Sequence, residues 1–298
     1  MRAIYGVGET LVDILFKNGV PVSANPGGSV FNALVTLSRL GSETYLITDI
    51  GDDEVGKMIV NFLDKNSIHT DYITIHKEKS STLALAFLDA NNDATYQFYK
   101  SEFPIEKPLN IPLFTESSMF LFGSTLAIDP SKRLLVTSYL NEAYNKGSII
   151  LYDPNCRKNH TNDQEKLSYI FENMSRATIV RCSDEDLKNI YGDISLEAAI
   201  AKVTEFCENV IVTRNSREVI CKFGSLRKSY PVPVITPIST IGAGDNFNAC
   251  ILYALSKLGI TTQTLNKIQI SDVDQIITQA LSLSSKVCMS MDNYIEKP

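Results

Sequence analysis

The feature that most constrains this chain is an alternation of two kinds of segment. Short apolar runs are followed by stretches whose apolar residues recur at helical spacing. "AIYGVG" (3–8) reads as a strand. In "GGSVFNALVTLSRLG" (27–41), Val30, Leu34, Leu37 and Leu40 fall on one helical face, and Gly41 is a stop signal. "TYLITDIG" (44–51) reads as a second buried strand. "DDEVGKMIVNFLDKN" (52–66) reads as a helix with acids in its first turn, where the helix dipole favours them. After Pro112 the rhythm continues through "SMFLFGS", "SIILYDPN", "ATIVRCS" and "NVIVTRN". "DVDQIITQALSLSSKVCM" (272–289) closes the chain as a helix. A β-α-β-α order predicts an α/β fold, with a central, mainly parallel sheet flanked by helices on both faces.

Two segments break the rhythm. "DILFKNGVPVSA" (13–24) reads as a hairpin around Asn18-Gly19, and "STLALAFLDANNDATYQFYK" (81–100) as one around Asn91-Asn92-Asp93. Together they predict a small β-sheet lid, formed by about 11–24 and 81–102, on a single domain spanning 1–298. The free edges of such a sheet predict a homodimer formed through the lids. "IEKPLNIPLF" (105–114) reads as a plain link from lid to body.

The composition narrows the function. With 298 residues, 44% hydrophobic and 21% charged, the chain is an ordinary globular protein. A net charge of −6 and a pI near 5.2 carry no nucleic-acid footprint. An anionic substrate would need a local positive site. The six cysteines form no CxxC pair and read as core residues, not as a zinc site or disulfide framework. The N-terminal apolar run is too short for a signal peptide or membrane span, so a cytoplasmic protein with no membrane partner is expected. His69, His76 and His160 lack metal-ligand spacing and are expected on the surface. There is no P-loop and no GxSxG, and "GVGET" lacks the last glycine of a dinucleotide fingerprint.

Chemistry concentrates in "STIGAGDNFNACILYALSKLG" (239–259). Gly242, Ala243 and Gly244 let backbone approach a ligand, and the first N–H groups of the helix that follows make an anion site. Asp245 at the edge of that site makes sense as a base. It would take a proton from a hydroxyl while the N–H groups stabilise a transferring phosphoryl group. Taken alone, the motif reads more simply as a tight turn and a helix-steadying acid. Three further segments shift the balance. Asn32 sits one turn inside the helix opened by "PGGSVFNAL", and its amide suits sugar hydroxyls. Asp13 follows the first strand, where open parallel sheets place ligands. "YDPNCR" ends a strand with Asp153, Asn155 and Arg157.

In that order, "GGSVFN" with "IGDDEVG", then "STIGAGDNF", resemble the two signatures of the ribokinase-like carbohydrate kinases of the phosphofructokinase B type. The resemblance runs through nearly the whole chain. It implies a ribokinase-like fold, ATP and Mg²⁺ as cofactors, and a small sugar as substrate, phosphorylated on a primary hydroxyl. It implies that Asp245 is the catalytic base, that Gly242, Ala243 and Gly244 form the anion hole, and that Asp13, Gly28 and Asn32 hold the sugar. "TLALAFLD" with "ATYQFYK", and "DPNCR", are similar to segments of fructokinases and 2-keto-3-deoxygluconate kinases. Lys100 and Arg157 would then face the substrate. "VIVTRN" resembles the nucleotide segment VTLG and places Thr213 and Asn215 near ATP. Fructose is the expected substrate, with 2-keto-3-deoxygluconate as the alternative and a non-catalytic sugar-binding regulator as a distant one.

Several positions depart from the family pattern. Ser239 replaces an aspartate tied to a monovalent-cation site, so weak K⁺ activation, or none, is expected. Asn215 and Glu218 replace glycines, and asparagine tolerates the left-handed turn. The NxxE motif survives only as Ser183-Asp184-Glu185-Asp186, which leaves Asp186 as the carboxylate for magnesium, acting through water.

Overall fold

The computed structural model describes residues 2–88, 94–158, 160–290 and 292–297. The chain opens with β1 (Ala3–Val7), β2 (Leu11–Lys17), β3 (Val20–Gly27), α1 (Ser29–Arg39), β4 (Glu43–Gly51), α2 (Glu54–Lys65) and β5 (His69–His76). It continues with β6 (Thr82–Leu88), β7 (Ala94–Tyr99), β8 (Met119–Gly123), α3 (Arg133–Asn145), β9 (Ile149–Asp153), α4 (Gln164–Arg176) and β10 (Ile179–Ser183). The last part holds α5 (Asp184–Tyr191), α6 (Leu196–Thr204), β11 (Asn209–Thr213), β12 (Glu218–Phe223), β13 (Leu226–Pro231), α7 (Ala243–Lys257), α8 (Thr262–Leu265) and α9 (Ile270–Cys288).

Nine strands form the large sheet, in the order β13-β12-β11-β10-β9-β8-β1-β4-β5. From β11 to β5 every neighbour pairs in parallel, and β12 and β13 add an antiparallel edge. Chain order reverses between β1 and β8, and in open α/β sheets the crevice at such a point takes ligands. Both faces are covered, which is why the strands read as unbroken apolar runs. In β8, Met119 and Leu121 pack toward α1, α7 and α9, while Phe120 and Phe122 pack toward α3 and α4. Phe122 stacks on Tyr152 at 4.7 Å. Burying each such ring contributes about 1.5–3 kcal/mol.

The small sheet has the order β3-β2-β6-β7. Its first hairpin turns at Asn18 (φ 53°) and Gly19 (φ 75°), the two left-handed residues that a two-residue turn of matching twist requires. The turn expected at Asn91-Asn92-Asp93 lies outside the described residues. The two hairpins join through a parallel pairing of β2 with β6, a long-range contact that local pattern does not signal.

Two of the three histidines are buried, contrary to expectation. His76 is held by Asp49 at 2.8 Å, and the ring of His160 accepts a hydrogen bond from the Arg157 N–H at 3.2 Å. Burial and nearby cations lower the pKa of His160, so it stays neutral. Five cysteines are buried, Cys288 is half-buried, and all six are free thiols. Among the described residues no helix is long and apolar enough to cross a membrane.

Candidate active site

Two helix N-termini meet at the carboxyl edge of the large sheet, and neither has a side-chain cap. Gly28 is the N-cap of α1 and Gly242 that of α7. Sequence dictates both. Gly28 has φ 133°, and a Cβ there would lie 2.3 Å from the Glu9 carbonyl oxygen. Gly242 has φ 77°, and its Cβ would lie 2.5 Å from the Asn293 carbonyl oxygen. Only glycine fits either place. The uncapped N–H groups and the helix dipoles favour an anion there.

Asp245, the third residue of α7, bridges the two helices. Its carboxylate accepts from Ser29 Oγ at 2.7 Å and from Asn32 Nδ2 at 2.9 Å. Burial raises its pKa to about 6, and those two hydrogen bonds oppose the rise. The carboxylate is thus oriented, forms no ion pair among the described residues, and is basic enough to accept a proton near neutral pH.

Asp13 lies on β2 of the small sheet. Among the described residues its carboxylate has no hydrogen-bond partner, and burial raises its pKa to about 6. A Cβ on Gly27 would lie 2.9 Å from Asp13 Oδ2 and 3.7 Å from Asn32 Oδ1. Asn32 Oδ1 is itself buried without a partner. Two acceptors therefore share one space and lack donors, a need that sugar hydroxyls meet.

A row of polar residues lies beneath the α7 terminus. Strand alternation turns Asp153, Arg181 and Thr213, on β9, β10 and β11, toward α7. Arg181 Nη1 donates to Asp153 Oδ2 at 2.8 Å and Nη2 to Thr213 Oγ1 at 2.7 Å. Asn248 of α7 donates to the same Asp153 oxygen at 2.6 Å. A Cβ on Gly244 would lie 2.9 Å from Arg181 Nη1, so the buried guanidinium sits directly against the anion-hole backbone. Sequence reasoning missed Arg181 and the contacts of Ser29. The signal was a charged residue inside a strand buried on both faces, since a buried charge demands partners.

The other expected residues divide. Arg157 is exposed and lines a cavity of about 650 Å³ together with Gly244 and Asp245. Tyr96 of β7 lies close enough to Asp13 and Arg157 to feel both charges, so the small sheet borders the same space. Lys100 does not join them. It pairs with Glu9 at 3.2 Å and lines a different cavity. Asn215 adopts φ 50°, so it makes the left-handed turn expected of it, but it is exposed. Asp186 lines the same cavity as Arg157, Gly244 and Asp245. It completes the capping box of α5, accepting from Ser183 N and Oγ, and takes a third hydrogen bond from Cys156 N at 2.6 Å. Among the described residues no three His, Cys, Asp or Glu side chains cluster to hold a metal ion.

Comparison with known proteins supports the fold. The fructokinase of Vibrio alginolyticus is 24% identical over 268 residues, covering 86% of this chain and 85% of that one. Among solved structures, the aminoimidazole riboside kinase of Salmonella enterica, complexed with aminoimidazole riboside and an ATP analogue, superposes with a TM-score of 0.86 at 19% identity. That match covers 100% of this chain and 97% of the other. The ATP-bound fructokinase of Xylella fastidiosa gives a TM-score of 0.85 at 19% identity, over 98% and 93%. The family profile of the pfkB carbohydrate kinases matches residues 15–286, and the chain belongs to that family.

Proposed function

We propose that this carbohydrate kinase transfers the terminal phosphoryl group of ATP to a primary hydroxyl of fructose. The observation that carries the reading is Asp245, held by Ser29 and Asn32 between two uncapped helix N-termini. Asp13 and Asn32 Oδ1 accept from sugar hydroxyls and orient the ring. Asp245 removes the proton from the attacking hydroxyl. The N–H groups of the Gly242–Gly244 turn, backed by Arg181, stabilise the charge on the phosphoryl oxygens. Magnesium, carried by the nucleotide, would supply further charge neutralisation. Thr213 and Asn215 flank the nucleotide. The small sheet, bearing Asp13 and Tyr96, acts as a lid that excludes water. The fructokinase relatives support fructose as the acceptor.

The sugar-acid reading loses ground, because Lys100 is already neutralised by Glu9. A different second reading has an observation behind it. Tyr96 and Phe98 stack at 5.9 Å, and both rings are partly exposed beside the site. Such a wall would also suit a riboside with a flat ring. An ATP-consumption panel of fructose, ribose, 2-keto-3-deoxygluconate and aminoimidazole riboside decides among them. The highest kcat/KM is expected for fructose. A riboside preferred by tenfold or more would overturn that choice.

The small sheet also exposes Val20, Val22, Phe87 and Tyr99. Phe87 and Tyr99 share one face and Val20 lies on the β3 edge, and we propose that a second copy pairs with this sheet, giving a homodimer. Light scattering should then report twice the 33.1 kDa chain mass.

A further inference from the structure

We propose that a cavity at the root of the small sheet is a second binding site, for an uncharged polyhydroxylated ligand such as a free sugar or sugar alcohol. The cavity holds about 750 Å³ and lies between the carboxyl ends of β1, β4 and β5 and the segment 100–104 that leaves β7. That volume suits a small molecule. The cavity opens at the reversal of strand order, yet neither Asp13, Asn32 nor Asp245 lines it.

Three observations set the ligand class. Thr10 lines the cavity, is only 4% exposed, and its hydroxyl has no partner among the described residues. A buried hydroxyl of this kind calls for a hydrogen-bonding ligand. Phe103 offers a preset ring. It stacks on buried His76 at 4.7 Å, and Lys132 Nζ holds its carbonyl oxygen at 2.7 Å. An aromatic face beside hydroxyls and mixed charges matches the C–H face and hydroxyl rim of a sugar. The lining carries four carboxylates against three lysines, and two of those lysines are already paired, Lys100 with Glu9 and Lys132 with Asp49. With no surplus positive charge, a phosphorylated ligand is disfavoured.

The cavity is also mechanically connected to the catalytic site. Glu9 lines it, while the Glu9 carbonyl packs against Gly28. Thr10 stands three residues before Asp13 on the way into β2. An occupant would therefore steady both roots of the small sheet.

The chain has no tryptophan, so Phe103→Trp gives a reporter inside the cavity. Titration with D-fructose and with D-glucitol should give a saturable fluorescence change. Adding Asp13→Ala should leave it intact, since that change empties only the catalytic sugar site. Adding Thr10→Val should weaken binding about tenfold, as expected for a lost hydrogen bond, and Thr10→Ser should restore it. No saturable change, loss of the signal with Asp13→Ala, or indifference to Thr10→Val would overturn the proposal. Tighter binding of D-fructose 6-phosphate would overturn the assignment to uncharged ligands. If Phe103→Trp does not fold, Tyr72→Trp places the reporter on another wall of the same cavity. Turnover plays no part in these readings, so the outcome stands apart from the choice of catalytic substrate.

Discussion

Asp245 and Asp186 occupy the same local position, the third residue of a helix whose N-terminus lies at the carboxyl edge of the large sheet. Both lie in largely buried surroundings that raise their pKa values. Their neighbours three residues back decide what they do. Before Asp186 stands Ser183, and the two side chains close the end of α5 in a reciprocal cap. Before Asp245 stands Gly242, which offers no side chain to cap against. The carboxylate of Asp245 turns instead to α1, and the end of α7 stays open. An acid in a first turn is therefore structural or chemical according to whether the residue before the helix leaves the N–H groups free.

The largest expected break in that comparison is Asp245→Asn. Loss of proton acceptance should lower kcat by about 10²–10⁴-fold with sugar affinity little changed. The pH dependence carries a matching sign. The folded-state pKa of Asp245 is about 6, above its ordinary 3.8. Its contribution to stability is therefore full below about pH 4 and lost as pH rises through 6. Catalysis needs the charged form, so kcat/KM should fall as pH drops below about 6, where the fold is least burdened by this group. Asp13, also raised to about 6, should steepen the acid limb of kcat/KM relative to kcat. An Asn variant that turns over near the parental rate would make Asp245 a second Asp186.

Gly244→Ala tests the open helix end itself. Its Cβ would displace Arg181 from Asp153 and crowd the anion hole. A drop in kcat of about 10–100-fold is expected, from the loss of preorganised donors. An unchanged kcat would show that Arg181 serves only the core.

Asp186→Ala should do the opposite. Losing the cap and the Cys156 contact should cost about 1–2 kcal/mol. Thermal unfolding should then move down by roughly 2–3 °C, with kcat within about threefold of the parent. A collapse of kcat at normal stability would return Asp186 to a role with magnesium.

The large sheet was legible because its strands are buried on both faces and read as continuous apolar runs, such as "MFLFG" of β8. The glycine-led helix starts were legible because Gly28 and Gly242 are required by backbone geometry, which sequence records directly. Long-range partners were not. Nothing local in Asn32 shows that its amide donates to a residue 213 positions away, or that its oxygen is left without a partner among the described residues. Nothing local in Lys100 shows that it pairs with Glu9, 91 positions earlier. The burial of His76 and His160 likewise depends on elements distant in the chain, so spacing alone placed them wrongly.

The smallest expected effect concerns Ser239 at the approach to the open helix end. Relatives of the pattern DTxGAGD place a carboxylate here, which the family resemblance ties to a monovalent cation. In this chain the Ser239 hydroxyl instead accepts the Ile241 N–H at 3.2 Å, while the Ser239 N–H is held by the Cys288 carbonyl. The same carbonyl accepts from Ile238. The turn is thus ordered by protein hydrogen bonds at a point where a cation would otherwise draw the chain together. A neutral hydroxyl engaged in a turn is also a weaker ligand for a potassium-sized ion than a carboxylate. Replacing choline chloride by KCl at constant ionic strength should therefore change kcat by less than about twofold, with ATP and Mg²⁺ saturating. A saturable rise of tenfold or more at low millimolar K⁺ would show that backbone carbonyls alone build the site. In that case the openness of the α7 terminus would depend on an ion as well as on Gly242. If the hydroxyl is what sets the response, Ser239→Asp should introduce a K⁺ dependence where the parent has little.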